Sequence, residues 1–395
     1  MPARVMHADL DAFFVDVCRQ RHPHLREVEA LIVGGRGDQR GVVQSASYGA
    51  REFGVRSGMS TAQALRLCPH ATVFQGSFSH YREASRAVRA VLKRHSPAVI
   101  MASLDEAYLD FSGTERLLPI SLLPVAERIR DDVKRETGLD TSIGIGPNRM
   151  IAKLASDYAK PRGLMEVRAG WEAGFLAGLP LRALPGVGPK TAQRWAAKGL
   201  KEVEQVQRLS LEALEGMVGK EARVLSLRAR GHGSSRVPSD RLPKSVSRET
   251  TLARDSSDPE HLEGLLALFA ARVAAELRQE GLMARTVSLK LRHGDFKTIT
   301  RSVTLSEPTD LDSELLEPVR RLFRVAYQQA KDRRQAIRLV GVAASTLAPR
   351  EAPDLFESPD RTRLRALTEA VDTVRGKYGF SALQPGRLLE FRPRK

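Results

Sequence analysis

Short apolar runs alternate with stripes of helical spacing along the chain, and this spacing sets a coarse order of elements. Residues 4–14, RVMHADLDAFF, read as a strand running into a turn. ALIVGG (30–35) reads as a second short strand before a loop. GVVQSASYGAREFG (41–54) has the pattern of a strand feeding a helix, and SHYREASRAVRAVLKRHS (79–96) that of an amphipathic helix. Strands follow around SLDEAYLDF (103–111), then a helix over 124–136, the strand TSIGIG (141–146) and a helix over 148–160. Strands interspersed with helices, some of the strands adjacent in sequence, predict an α+β sheet covered on one face.

From Trp171 to about Arg230 the spacing is wholly helical, interrupted by the tight turn Pro185-Gly186-Val187-Gly188. RGHGSSRVPSDRLPK (230–244) is rich in Gly, Ser and Pro and reads as a linker. Beyond it the pattern runs strand (SVSRETTL), helix (258–279), strands (TVSLKLRH and KTITRSVTL), helix (311–331), strand (AIRLVGVAAS). That β-α-β-β-α-β order predicts a small ferredoxin-like domain. A last helix, TRLRALTEAVDTVRGKYG, lies in an arginine-rich tail.

With 395 residues the chain has room for two to four domains, and 42% hydrophobic with 28% charged residues is the balance of a protein with real cores. No run of about 18 apolar residues is present, so no membrane span or membrane partner is expected. The opening MPARVMHADLDAFF brings acids too early for a signal peptide. Two cysteines, Cys18 and Cys68, form no framework and have no zinc spacing, which predicts buried thiols in a reducing, cytoplasmic setting. The net charge of +16 changes the picture more, because it suits a polyanionic partner, nucleic acid above all. Eight basic residues against two acids between Lys220 and Arg248 predict a linker that lies along that polyanion.

The chemistry concentrates in acids set among apolar residues. Asp105 and Glu106 interrupt an apolar stretch that reads as a buried strand or hairpin. Asp9 and Asp11 alternate with Ala8 and Leu10 in the first strand, so both are expected to face one side there. Such carboxylates are stable together only if protons or cations neutralise them. All-oxygen ligands favour Mg²⁺ or Mn²⁺ over zinc, and two such ions a few ångströms apart are a known device for in-line phosphoryl displacement.

HADLDAFF and SLDEAYLD together closely resemble the two metal-binding motifs of Y-family translesion DNA polymerases, particularly the DNA polymerase IV (DinB) type. SASYGAREFGVRSGMS is similar to that family's fingers motif, SIGIGPNRMIAKLASDYAKPRG to the end of its palm, and LPGVGPKTAQRWAAKG to the helix-hairpin-helix of its thumb. IRLVGVAAS is similar to the last strand of its little finger, and all five stretches occur in family order.

The resemblance implies a right-hand-like, multidomain α+β polymerase: palm (1–17 and 76–166), fingers (18–75), thumb (167–231), basic linker (232–244), ferredoxin-like little finger (245–350) and C-terminal tail (351–395). It implies that Asp9, Asp105 and Glu106, with the Leu10 main-chain carbonyl, hold two Mg²⁺ ions for nucleotidyl transfer from a dNTP to a primer 3′-hydroxyl, Mn²⁺ being able to substitute. Asp11 matches a family position and receives no metal. Tyr48, Arg51 and Lys160 would contact the triphosphate, joined by Ser45 and the amides of Phe13 and Phe14. Taken alone, Tyr48 reads first as a core aromatic and Lys160 as a solvated helix end, and the matching motifs invert that order. Phe14 would be the steric gate against the ribose 2′-hydroxyl, while Phe13, its neighbour in a strand, would point to the opposite face.

DNA contacts are expected at Gly186, Gly188 and Lys190 of the thumb turn. Further contacts are expected at Lys297, Thr298 and Arg301 of the little finger, where FKTITRSVTL alternates Lys297 or Thr298 with apolar partners so that one sheet face can lie on DNA. Cys18 stands where the family pattern has glutamate, which leaves the local packing open. The short fingers and the lack of room for a proofreading exonuclease predict low fidelity. Primer–template DNA and dNTPs are the implied partners. The sliding clamp is a further one through Leu355-Phe356 in APDLFESP, a pair that could equally pack on this protein's own surface. A monomer is expected, cytoplasmic and nucleoid-associated when on DNA. A catalytically inactive DNA-binding scaffold is the main alternative, but it would be free to lose Asp9, Asp105, Glu106 or Arg51. A metal nuclease would need neither the triphosphate set nor a bulky Phe14.

Overall fold

The computed structural model describes residues 4–38, 40–96, 98–118, 121–237, 242–350 and 358–383. The chain divides into two compact units, Met1–Asp240 and Arg241–Lys395. In the first, β1 (Val5–Leu10) is buried along its whole length. Ala12, in the left-handed region at φ 43°, turns the chain straight into α1 (Phe13–Arg21). The expected strand therefore ends at Leu10, and Phe13 and Phe14 open a helix.

A three-stranded sheet follows from β2 (Leu31–Gly34) and β3 (Val43–Ala46), with α2 (Tyr48–Glu52) capped by the Ser47 side chain, α3 (Thr61–Leu67) and β4 (Thr72–Phe74). Its order is β3-β2-β4. Then come α4 (Phe78–His95), β5 (Ala98–Met101), β6 (Glu106–Asp110), α5 (Leu123–Thr137), β7 (Thr141–Gly146), α6 (Arg149–Ala159) and β8 (Leu164–Glu166). With β1 at its centre these make a five-stranded sheet of order β5-β6-β1-β7-β8.

Alternation along β1 sorts its side chains between two layers. Met6, Ala8 and Leu10 join Val88, Leu92, Ile129 and Val133 of α4 and α5 in one core. Val5 and His7 face the other way, against Ala152 and Ser156 of α6. The sheet is thus covered on both faces rather than one, which is why β1 has no exposed position. Gly144 lets α6 come close: a Cβ there would lie 2.1 Å from the Ala152 carbonyl oxygen and 2.2 Å from the Ser156 nitrogen.

The helical stretch comprises α7 (Glu172–Ala177), α8 (Pro189–Ala196), α9 (Val203–Gln207), α10 (Leu211–Val218) and α11 (Ala222–Ala229). Its core of Leu176, Leu184, Trp195, Val203, Leu214 and Leu225 is continuous with Ile151 and Leu154 of α6. The start of the expected linker is tied down. Asn148 donates to the Gly231 carbonyl at 2.8 Å, Arg149 N–H donates to Ser234 at 3.1 Å, and Val237 packs beside Val5 and Tyr108.

The second unit contains β9 (Ser245–Ser256), α12 (Pro259–Gln279), β10 (Leu282–His293), β11 (Thr298–Thr309), α13 (Asp312–Asp332), β12 (Ile337–Pro349) and α14 (Pro359–Tyr378). The expected β-α-β-β-α-β order is present, with the last strand, β12, inserted between β9 and β10 in an antiparallel sheet of order β11-β10-β12-β9. Helices α12 and α13 cover one face through Leu266, Phe269, Val273, Val319 and Phe323. The tail helix α14 is held by charge: the buried Arg278 guanidinium pairs with Asp312 at 3.0 Å and with Asp372 of α14 at 2.6 Å.

Candidate active site

The alternation that sends Leu10 into the core turns Asp9 towards α6, where the Lys160 ammonium lies 2.6 Å from Asp9 Oδ2. Asp9 is the cross-strand partner of Glu106, and such pairs place their side chains on the same face. Next to them, Leu10 N–H donates to the Asp105 carbonyl at 2.9 Å. Asp105 itself is not in a strand. It ends the hairpin turn between β5 and β6, half-exposed, where Ser103 Oγ donates to its carboxylate. Of the two readings, strand or hairpin, the hairpin holds at Asp105: Asp9 is buried, whereas Asp105 and Glu106 open towards solvent at the sheet's end.

Each carboxylate is answered by a donor. Burial pushes the Asp9 carboxyl up to about 6 although Lys160 pulls it the other way, as expected where desolvation outweighs a single partner. Glu106 is held down at about 2 by the His7 imidazole and the Lys153 ammonium. Lys153 Nζ is 2.7 Å from Glu106 Oε1, while His7 Nε2 stands 3.6 Å from Oε2. Burial lowers the His7 pKa, and 3.6 Å is long for a hydrogen bond, so the ammonium is the firmer of the two partners. Among the described residues no three His, Cys, Asp or Glu side chains are gathered closely enough to hold an ion as they stand. The donor set nevertheless suits a hard divalent cation: three carboxylates and the Leu10 carbonyl, all oxygen, at one end of neighbouring strands, with ammonium groups now supplying the positive charge.

Asp11 does different work. Buried just past β1, it accepts from Ser142 Oγ at 2.9 Å, from Arg162 N–H at 2.9 Å and from Tyr48 OH at 3.1 Å. It joins β7, the end of α6 and α2, and so fixes where Tyr48 stands. The Arg51 guanidinium lies 4.9 Å from the centre of the Tyr48 ring and its Nε donates to the Ala46 carbonyl at 3.0 Å. Ser45 is buried in β3. Phe13 is buried and Phe14 half-buried, so the ring with an open edge is Phe14. They diverge because consecutive helical residues project about 100° apart, not because of strand alternation. Sequence reasoning missed Lys153, Asp11 as a hub, and Tyr81, whose ring meets Phe14 edge-on at 4.5 Å. The signal for Lys153 was present: Lys153 and Asp157 are spaced i, i+4 on one face of α6, and Lys160 follows as its C-terminal cap.

Residues 8–157 match the impB/mucB/samB family, residues 243–355 match that family's C-terminal domain, and residues 144–202 and 178–222 match a SAM-like helix-hairpin-helix tandem. A DNA polymerase IV of Dehalococcoides mccartyi strain CBDB1 is 39% identical over 97% of both chains. One of Caulobacter vibrioides is 38% identical over 98% of this chain and 94% of its own. The chain belongs to the Y family of DNA polymerases. It is a DNA-directed DNA polymerase of the translesion, DNA polymerase IV type. A solved Y-family chimera of Dbh and Dpo4 shares the fold, with a TM-score of 0.76 at 23% identity over 88% of this chain and 99% of that one.

In this polymerase Gly186 and Gly188 are exposed in the turn ahead of α8, and Lys190 is exposed in its first turn. Lys297, Thr298 and Arg301 do not share one face. Arg301 is paired with the buried Leu289, and its neighbours Ile299 and Val303 with Leu291 and Val287, which puts Arg301 on the helix side of the sheet. There Arg301 and Lys297 line a cleft with Ala326 and Gln329 of α13. Thr298 accepts from Arg292 on the open side, where Ser302 also meets Ser288. Strand alternation thus sets Lys297 and Arg301 on one side and Thr298 on the other. Leu355 and Phe356 lie outside the described residues. Among the described residues no helix is long and apolar enough to cross a membrane.

Proposed function

We propose that this polymerase copies damaged template DNA with low fidelity by two-metal nucleotidyl transfer at Asp9, Asp105 and Glu106. The observation that carries this is the register pairing Asp9 with Glu106, with Asp105 bonded to the intervening Leu10. Two divalent ions, Mg²⁺ or in its place Mn²⁺, held by these carboxylates and the Leu10 carbonyl, would supply activation of the primer 3′-hydroxyl and neutralisation of the leaving pyrophosphate. The chain's own residues do the rest. Asp9 and Glu106 remain ionised ligands once the cation charge replaces that of Lys160 and Lys153. Lys160, released from Asp9, turns its ammonium to the triphosphate. Tyr48, fixed by Asp11, and Arg51 hold the β and γ phosphates, the guanidinium through its bidentate fork. Ser45 and the first amides of α1, at Phe13 and Phe14, add donors at a helix start.

In this scheme the five-stranded sheet is the palm, the three-stranded sheet the fingers, the helical stretch the thumb and the second unit the little finger. The turn at Gly186, Gly188 and Lys190 contacts DNA phosphates, as does the open sheet face with Thr298, Lys290 and Arg292. Such contacts carry no sequence information. The protein acts as a cytoplasmic monomer on the nucleoid.

Primer extension on undamaged and abasic templates, with and without Mg²⁺ and with and without a sliding clamp, tests these assignments together. Mg²⁺-dependent extension past the lesion is expected, whereas DNA binding with no extension under any condition would leave the inactive scaffold. Clamp stimulation is expected to fall in a Leu355→Ala, Phe356→Ala double variant, since an apolar pair anchors such peptides. Equal stimulation of both proteins would remove this motif from the clamp contact.

A further inference from the structure

Position 18, where the family pattern carries glutamate, holds a buried thiol with a defined partner. Cys18 and Phe14 are four residues apart on α1 and so share a face. Between them stands Tyr81 of α4, fully buried. Its ring meets the Phe14 ring at 4.5 Å and 87°, and the Phe13 ring at 6.1 Å. Its hydroxyl is 3.3 Å from Cys18 Sγ, within hydrogen-bond reach for sulfur.

The space around that bond is closed. A Cβ on Gly76 would fall 1.5 Å from the Tyr81 hydroxyl oxygen and 3.0 Å from Cys18 Sγ, so only glycine fits there. Burial pushes both the thiol and the phenol up from their ordinary values, and the pair is neutral at working pH. A glutamate in the same place would bring a carboxylate into a cluster of Phe13, Val15 and Tyr81, where an uncompensated charge is costly. The thiol reaches the phenol without one.

We propose that Cys18 is a positioning residue for sugar selection. Its sulfur anchors the Tyr81 hydroxyl, and the anchored ring backs Phe14 so that the Phe14 side chain does not yield to a ribose 2′-hydroxyl. The inference rests on Phe14 acting as the steric gate.

The test is single-nucleotide insertion by the full-length enzyme, comparing kcat and KM for a matched ribonucleotide and deoxynucleotide. Cys18→Ala is expected to raise the ribo-to-deoxy efficiency ratio by about two- to tenfold, the scale of one neutral hydrogen bond. The change should appear mainly as a lower ribonucleotide KM. Cys18→Ser, which retains a donor and acceptor, should stay at the wild-type ratio. Tyr81→Phe removes the same bond from the other side, so a Cys18→Ala, Tyr81→Phe double variant should go no further than Tyr81→Phe alone. A wild-type ratio in Cys18→Ala while Phe14→Ala raises it would overturn the proposal and leave the gate standing. Additive effects of the two substitutions, or a Cys18→Ser ratio equal to that of Cys18→Ala, would also overturn it. No change in Phe14→Ala would overturn the gate and this inference together.

Discussion

Asp105→Ala is expected to cut nucleotide addition on the order of 10³-fold or more while leaving DNA binding in place, because under the proposed two-metal scheme it would remove both a shared ligand and its alignment of the reacting groups. Asp105 is half-exposed in a turn, with the neighbouring Ser103 hydroxyl on its carboxylate, so its loss leaves no buried charge behind and the fold should be retained. Asp9 differs, since truncating it would strip the Lys160 ammonium of its 2.6 Å partner and leave only the longer 3.4 Å contact to Asp157, mixing a stability loss into the kinetics. DNA affinity in Asp105→Ala should match wild type and fall steeply as salt rises, because phosphate contacts of a +16 chain dominate it. Single-turnover insertion alongside a salt titration of binding checks both halves, and near wild-type insertion would remove Asp105 from the metal site.

The second large effect concerns the sugar. Phe14→Ala should raise ribonucleotide insertion relative to deoxynucleotide insertion by about 10- to 200-fold, the range seen when a pocket loses the bulk that excludes a small group. Phe14 offers no acceptor for a 2′-hydroxyl, so steric and desolvation costs act in the same direction. Its ring is half-exposed, whereas Phe13 is sealed in the core with Met6, Val15 and Tyr81. Phe13→Ala should accordingly cost stability, as a buried Phe truncation does at about 3–5 kcal/mol, and alter sugar choice less. The ratio of insertion efficiencies and the melting midpoint of each variant separate the two roles.

Much of the site could be read from sequence because strand alternation is a strong code. Asp9 and Glu106 lie in strands and end up as cross-strand partners, as their place among aliphatics implied. The same signal could not decide Asp105, since apolar flanks do not distinguish a strand from the tip of a hairpin, and here Ser103 and Asp105 form that tip. It also failed at Phe13 and Phe14. The helix begins one residue after Ala12, a position that adopts φ 43° without being glycine, and residue type gave no warning of it. One sheet face was expected to be open; two are covered, because α6 returns across β1 and β7 through a contact made at Gly144, which depends on tertiary packing and not on local pattern.

Long-range polar partners were the least accessible part. Asp11 collects donors from residues 48, 142 and 162, and nothing in its neighbourhood along the chain announces them. Whether Lys297 or Thr298 shares a face with Arg301 could not be read locally; the register of Arg301 against Leu289 puts it on the side of Lys297.

The central claim is that the carboxylates now neutralised by Lys153 and Lys160 exchange those ammonium groups for divalent cations when substrates bind. Its most direct test is the anomalous diffraction of a crystal of the wild-type enzyme with a 3′-terminated primer–template, a matched dNTP and Mn²⁺. Two manganese peaks shared among Asp9, Asp105 and Glu106, with Lys160 moved off Asp9 and onto the triphosphate, are predicted. A bound triphosphate with the Lys160–Asp9 and Lys153–Glu106 pairs intact and no manganese at the three carboxylates would contradict it.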